Sequence, residues 1–362
     1  MIRPILHALI PAVLSLSGTM SLAVAAASAG DTNAVIISNR EPRRDSEGNI
    51  IDAHDGCLMR FGDRYYLYGT RYGDSNGFNK GNLYVCYSSP DLVHWTNHGV
   101  IVQTDPNGVY YRPYVLFNGK TNKYVLWYNA DGHYGVATAD KPEGPFTLQH
   151  TAVKVGNPVD GDLGLFKDDD GSAYLAYSAN GRGHFDVSVE PIPHHQIFVE
   201  KLAPDYLSST MECSQPVAGN CESPALFKRN GIYYLLFDNT CCFGKDGSGA
   251  RVYTSDKPLG PYRYRGNINV KTPADPASVP VTWTKPGSGR PDCVVPAQQT
   301  HVAALPTAAG TAYLWMGDRW HSSIDKIKGH DFQYWSSPLQ FDSDGMIRKL
   351  TWEDQWFFDT TR

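Results

Sequence analysis

The chain has 362 residues, a formal net charge of −5 and 12% aromatic residues, with 34 Gly and 24 Pro. The acidic balance argues against a nucleic-acid surface, which needs a basic excess. The lack of helical heptads and of long Ala/Leu/Glu/Lys runs leaves many short strands joined by tight turns as the reading of the composition.

At the N-terminus, Arg3 precedes an apolar run from Ile5 to about Ala27, and Ala27-Ser28-Ala29 supplies small residues at a cleavage site. Pro11 and several Ser interrupt the run and no stop-transfer pattern follows, so residues 1–29 read as a secretory signal peptide, with an uncleaved anchor as the alternative. Residues 30–362 are expected to form a single domain, acting outside the cytoplasm as a monomer with no membrane or nucleic-acid partner. Seven cysteines (Cys57, Cys86, Cys213, Cys221, Cys241, Cys242 and Cys293) then permit disulfides. Cys213 and Cys221 flank a short loop and are the expected pair. No Cys-x-x-Cys spacing suggests zinc.

One pattern then recurs along the chain. It first appears as DGCLMRFGDRYYLYGT from Asp55, followed by LYVCYSSPDLVHW, and again as RPYVLFNGKTNKYVLWYNA from Arg112, followed by YGVATADKPEGPFTL. A third copy, DLGLFKDDDGSAYLAYSA, starts at Asp162 and precedes IFVEKLAPDYLS. The fourth, CESPALFKRNGIYYLLFDN, spans Cys221 to Asn239 and precedes RVYTSDKPLGPYRY, and the fifth begins near Gln298 and closes with FQYWSSPL. Each copy is a hairpin of two apolar strands plus a further strand, and Asn230-Gly231 is a two-residue hairpin signal.

Copies 50 to 76 residues apart fit four-stranded antiparallel blades with variable loops. The expected fold is therefore all-β, a five-bladed β-propeller closed without a long free edge. A Greek-key β-sandwich explains the strand density, but not the near-duplicates ATADKPEGPF and YTSDKPLGPY. In a propeller the first strand of each blade lines the central channel, so Asp55, Arg112, Asp162, Glu222 and Gln298 converge on one mouth. Charge gathered there is costly unless paired or used.

These residues carry a resemblance. Asp55 ahead of Tyr65-Tyr66, Asp162-Leu-Gly-Leu-Phe ahead of Asp168-Asp169-Asp170-Gly171, and Glu222-Ser-Pro-Ala-Leu-Phe resemble the three acidic signatures of glycoside hydrolase family 43, and Ser88 to Trp95 is similar to its first-blade turn. The likeness runs from about Asp52 to Trp356. It implies inverting hydrolysis of glycosidic bonds, with Asp55 as base, Glu222 as acid and Asp162 as the residue that tunes the acid. Inversion needs a protonated carboxyl and an ionised one about 6.5–9.5 Å apart. Like-charge repulsion from Asp162 is the expected means of keeping Glu222 protonated.

Within the family the chain most resembles the exo-β-1,3-galactanase branch, through Ala53-His54, Arg112-Pro113, Gln298-x-Thr300 and Met316-Gly317-Asp318-Arg319-Trp320. That branch lacks the base Asp, and its blade-five Gln has been proposed as a substitute. This chain departs by keeping Asp55 where the branch has Gly, and by carrying Thr70 and Tyr111 where it has Glu residues that hold galactose. An amide is a poor proton acceptor, which favours Asp55 as base and Gln298 as a hydrogen-bonding residue.

The expected substrate is an oligo- or polysaccharide of galactan or arabinogalactan type, with an α-L-arabinofuranoside or β-xyloside as the alternative. His54, Arg112, Gln298, Tyr111, Trp127, Arg319 and Trp320 are the candidate substrate-binding residues, and Tyr68 a further sugar platform. No cofactor is expected to be required. A structural calcium in the channel is open, with His301 a weak metal candidate, whereas Asp168 to Gly171 reads as a hairpin turn and His194-His195 as no site. Lys271 to Asp292 reads as a long loop at the pocket rim. Two other classes stand beside the hydrolase. A glycan-binding propeller without catalysis has no need of three acids, and a phosphorolytic enzyme needs a basic phosphate pocket for which Arg112 and Arg319 are thin support.

Overall fold

The structure is a computed structural model that describes residues 34–75, 77, 80–130, 132–179, 195–219, 221–239, 243–271 and 292–360. The expected leader (1–29), His194, Cys241, Cys242 and nearly all of the 271–292 stretch lie outside the described residues.

Strand β1 (Ala34–Ser38) precedes five sheets. The first holds β2 (His54–Phe61), β3 (Arg64–Arg71), β4 (Leu83–Ser89) and β5 (Thr96–Val100); the second holds β6 (Tyr110–Asn118), β7 (Lys123–Ala130), β8 (His133–Ala139) and β9 (Thr147–His150). The third holds β10 (Val159–Lys167), β11 (Ala173–Ala179), β12 (Gln196–Leu202) and β13 (Ser209–Cys213); the fourth holds β14 (Cys221–Arg229), β15 (Ile232–Asn239), β16 (Arg251–Ser255) and β17 (Arg263–Asn267). In the fifth, β18 (Gln298–Thr307), β19 (Gly310–Arg319) and β20 (Phe332–Trp335) form three strands. A ribbon of β1 and β21 (Gln355–Asp359) docks beside β20, where Trp356 Nε1 donates to Trp335 O at 2.9 Å and Trp335 N donates to Asn39 Oδ1 at 3.0 Å.

Among the described residues the strands named above pair only antiparallel, and the innermost strands touch in a closed ring, β2 to β6 to β10 to β14 to β18 and back to β2. This is the five-bladed propeller that the repeats predict. Apolar residues alternating along each strand face the neighbouring blades, so the core is distributed as clusters between blades rather than as one central mass. The near-duplicate turns before β9 and β17 also match in structure. Gly144 and Gly260 take φ of 81° and 85°, and each donates its N–H to the carbonyl of a Lys three residues back at 3.1 Å. Asp168 to Gly171 is a hairpin turn, with Lys228 Nζ 2.7 Å from Asp168 Oδ1.

The expected Cys213–Cys221 bridge is not formed, and neither residue is part of a disulfide. Their side chains serve different surroundings. Cys213 Sγ lies 3.5 Å from Asn157 Nδ2, whereas Cys221 Sγ meets Arg251 Nη1 at 3.3 Å. Among the described residues no helix is long and apolar enough to cross a membrane.

Each innermost strand carries an irregularity at its starting end: the register shifts between His54 and Cys57, Tyr111 and Tyr114, Val159 and Leu163, Glu222 and Ala225, and Gln299 and His301. Such bulges leave residues unpaired and re-aim their side chains. Gly56 lies inside the first one, where a Cβ would run into the Tyr68 carbonyl. Gly56→Ala is therefore expected to lose about 1–3 kcal/mol of stability, as overpacking does, read from the midpoint of a urea transition at unchanged slope.

Candidate active site

The bulges set which way the mouth-lining residues point. Asp55, Arg112 and Ser223 lie two residues before the pair that resumes each ladder, and all have left-handed φ, of 51°, 55° and 59°. Asp162 lies one residue before that pair, and Glu222 three. The three acids thus share a mouth but not a step.

Arg112 joins two of them and reaches the neighbour of the third. Its backbone N–H donates to Asp55 Oδ1 at 3.2 Å, and its Nη2 lies 2.8 Å from Asp162 Oδ2 and 2.5 Å from Ser223 Oγ. Asp162 Oδ2 in turn accepts the backbone N–H and the hydroxyl of Ser223 at 3.0 and 2.9 Å. Asp162 therefore grips the residue directly after Glu222, while its charge is matched by a guanidinium that is only 2% exposed. Burial disfavours that guanidinium's charge, but Asp162 and then Asp55 outweigh it and hold its pKa well above the ordinary value.

Asp55 is 5% exposed. Its Oδ1 accepts Thr70 Oγ1 at 2.7 Å as well as the Arg112 N–H, and its Oδ2 accepts the Tyr72 hydroxyl. Burial pushes its pKa up to about 6, with Asp318 adding to the rise and Arg112, Tyr72 and Thr70 limiting it. A carboxylate offers about four acceptor positions, so these three bonds leave room for about one more donor.

Beneath Asp55, Asp318 takes the Asp55 N–H at 2.6 Å and His54 Nδ1 at 3.0 Å, while His54 Nε2 faces Gly329 O at 3.2 Å. With both ring nitrogens facing acceptors, the imidazolium is favoured. Burial opposes the charge, but Asp318, Asp52 and the Gly329 carbonyl raise the pKa to about 9.

Not every candidate faces the mouth. His54 is fully enclosed and supports Asp55 from behind rather than reaching a ligand. Trp127 and Tyr68, expected as sugar platforms, are both 0% exposed and belong to the inter-blade core, where Trp127 Nε1 donates to Tyr206 O at 2.7 Å. Arg319 stacks its guanidinium 4.7 Å from the Trp352 ring and 5.5 Å from Phe332. His301 sits toward the opposite end of the channel, on a cavity of about 600 Å³. It meets Tyr114 OH at 3.3 Å, and burial lowers its pKa to about 4. Among the described residues no cluster of three His, Cys, Asp or Glu side chains could hold a metal. Tyr111 lies beside Arg112 at the start of β6, and its carbonyl accepts Tyr84 OH at 3.1 Å.

Trp320 and Gln298 do come together: Trp320 Nε1 donates to Gln298 Oε1 at 2.7 Å. Because the indole can only donate, this bond fixes the amide orientation and leaves the Gln298 NH2 and one lone pair of its oxygen to bind.

Sequence reasoning assigned no role to Ser223, Tyr72, Gln299, His195 or Lys328, and quoted Asp318 only within a motif. Gln299 is enclosed, donating from Nε2 to Ser223 O and Leu236 O at 2.7 and 2.9 Å and accepting Trp315 Nε1 at 2.9 Å. His195 Nδ1 lies 3.6 Å from Glu222 Oε1. The sequence signal for Ser223 and Gln299 was adjacency to Glu222 and Gln298. Lys328 had none, because it lies outside the repeat.

A propeller with carboxylates from three blades at one channel mouth, two of them bridged by Arg112, is the class of protein that this fold and site define. The family described as Glycosyl hydrolases family 43 matches residues 50–288, and the chain belongs to it. Among curated relatives, the arabinoxylan arabinofuranohydrolase of Bacillus subtilis (strain 168) is 29% identical over 260 residues, 60% of this chain and 51% of that protein. A β-D-galactofuranosidase of Aspergillus niger is 29% identical over 222 residues, covering 56% and 60%. The chain thus spans half to three fifths of the length of these two relatives. Among solved structures, a family 43 β-1,3-galactosidase matches with a TM-score of 0.70 and 27% identity over 89% of this chain and 63% of that one. An exo-β-1,3-galactanase from Clostridium thermocellum matches at 0.68 and 26%, over 88% and 66%.

Removing Arg112 tests the ion pair. Arg112→Met leaves Asp162 buried without its partner, an arrangement that costs about 3–5 kcal/mol. A fall of that size in urea-derived stability, together with a higher Asp55 pKa measured by carboxylate NMR, is the expected result.

Proposed function

We propose that this protein is a glycoside hydrolase that cleaves β-galactosidic bonds of galactan or arabinogalactan type with inversion. Glu222 acts as general acid, Asp55 as general base, and Asp162 as a positioning residue for Glu222. The observation that carries the reading is the continuous contact from Asp55 through Arg112 and Asp162 to Ser223, the residue next to Glu222.

In the ground state Asp55 is the ionised partner. Its one remaining acceptor position suits a water, and a pKa of about 6 lets it take a proton near neutral pH without holding it irreversibly. Glu222 donates a proton to the departing oxygen as the bond breaks. Asp162 holds the backbone N–H of Ser223, and so fixes where the Glu222 carboxyl stands, while its own charge is spent on Arg112. This differs from simple like-charge repulsion, because a carboxylate neutralised at 2.8 Å exerts little field on a neighbour. Gln298, with its oxygen bound to Trp320, presents donors to sugar hydroxyls.

The galactoside preference is supported by likeness to a β-1,3-galactosidase over 89% of this chain. Sequence likeness to an arabinofuranohydrolase over 60% of the chain supports α-L-arabinofuranosides as the second reading. The apolar run and small residues of the first 29 positions support export.

Nitrophenyl glycosides and arabinogalactan assayed side by side, with the anomer of the first product read by proton NMR, test the reaction. Inversion is expected, and retention sinks the mechanism. Glu222→Gln should lower kcat on arabinogalactan by at least about a hundredfold, with normal turnover excluding it as the acid. Because the base must be ionised, kcat/KM should fall tenfold per unit below about pH 6. Asp55→Asn should abolish this limb, with azide restoring part of the rate.

A further inference from the structure

Lys328 opens a short 3-10 turn, Lys328–His330, that is locked onto the first blade. Gly329 N donates to Gly73 O at 2.8 Å, its carbonyl faces His54 Nε2, and a Cβ at this position would collide with the Asp52 carboxylate. The turn therefore cannot drift, and it delivers the Lys328 ammonium to a fixed point. Nζ lies 3.8 Å from the Phe243 ring centre, 4.1 Å from Trp320 and 5.9 Å from Tyr72. Two of those rings hold site residues: Trp320 bonds Gln298, and Tyr72 bonds Asp55.

The residue is 9% exposed, and among the described residues its ammonium meets ring faces and long-range charges but no hydrogen-bond acceptor and no ion-pair partner. Ring faces compensate part of the lost hydration of a cation. They leave its three N–H donors to water or to a ligand that supplies the acceptors, and Nζ is not among the fully buried unpartnered atoms, so a ligand can reach it. The charges that act on Lys328 are Asp331, Asp318 and Asp55, all acidic, and the His54 ring lies tilted against Trp320 with its centre 5.1 Å from the indole. With acids already around the ammonium, the acceptor that fits is a neutral hydroxyl, not a second carboxylate.

We propose that Lys328 is a further substrate-binding residue, whose ammonium donates to a hydroxyl of a neutral sugar held between Asp55 and Gln298. The proposal takes its occupant from the glycosidase reading but requires only that a glycan bind, not that a bond be cleaved.

Calorimetric titration of the full chain with galactose, arabinose and β-1,3-galactotriose, using wild type, Lys328→Met and Lys328→Arg, tests it. Met keeps the volume against the rings and removes the donors. Its affinity for the sugar that binds should fall at least about tenfold, KM should rise with kcat within threefold, and Arg should restore part of the affinity. Burial lowers the Lys328 pKa to about 8 against the pull of the three acids. Wild-type affinity should therefore weaken as pH rises through about 8, and the Met variant should lack that limb even though His54 titrates nearby. Affinity within twofold of wild type and an unchanged pH profile in Lys328→Met make the residue a purely structural cation and overturn the proposal. If Met does not fold, loss of the pH limb in a folded Arg variant still supports the role, and its persistence there overturns it. Binding that depends on Lys328 without hydrolysis of any glycoside removes the hydrolase reading and leaves this one standing, while failure of all three sugars to bind wild type removes both.

Discussion

The Arg112 guanidinium, enclosed at the channel mouth with Asp162 on one side and the Ser223 hydroxyl on another, is the interaction on which the site depends. Three blades supply its partners: its backbone serves Asp55 of the first, and its side chain serves Asp162 of the third and Ser223 of the fourth. A fourth contact, to Gln299 O at 3.5 Å, adds the fifth blade. A buried ion pair is weak evidence for stability, since a well-packed apolar substitute often does as well. Its place here is better explained by what it fixes. The blades are joined mainly by apolar clusters that fit by shape, with a few polar bonds such as Lys228–Asp168 at the rim, and the charged centre fixes Asp55 and Asp162 relative to each other and to Ser223, the residue after Glu222.

The same constraint separates what was legible in the sequence from what was not. Period-two alternation and near-duplicate turns exposed five hairpin units, and the closed ring of innermost strands follows from them. The acids at the strand starts were legible for the same reason. Their exact step was not, because a bulge inserts a residue without disturbing the alternation on either side. Asp162 and Glu222 therefore looked equivalent in sequence and are two steps apart in the register. Trp127 and Tyr68 misled because a strand alternates between two sides that both meet apolar blade surfaces, and pattern alone does not separate a ligand-facing ring from an inter-blade one. Asp318 and Lys328 reach the site from the end of β19 and from the turn after it, beyond any repeat-derived position.

The departures from the galactanase pattern also take on physical meaning. That pattern has Gly at position 55 and Glu at position 70, whereas this chain has Asp55 and Thr70. His54 pairs with Thr70 across the ladder, and the Thr70 hydroxyl donates to Asp55 Oδ1 at 2.7 Å. One carboxylate is thus kept on this rung of the sheet but supplied from the opposite strand, with a hydroxyl where the other carboxylate would stand. Two acids facing each other here would repel and raise each other's pKa further. A single acid steadied by Thr70, Tyr72 and the Arg112 N–H avoids that.

That arrangement bears on which residue takes the proton from water. An amide oxygen is a poor base, and the Trp320 indole N–H already takes one of the two lone pairs of the Gln298 oxygen at 2.7 Å. Turning the amide over would set an NH2 against an N–H donor and lose the bond, so the orientation resists change. Asp55 has the opposite character: an anion whose charge is disfavoured enough by burial to bring its pKa to about 6, yet with an acceptor position still open. The two residues are therefore not interchangeable candidates. Gln298 offers an NH2 and a weakly basic amide oxygen, Asp55 an anionic oxygen, and only the anion is basic enough to deprotonate a water.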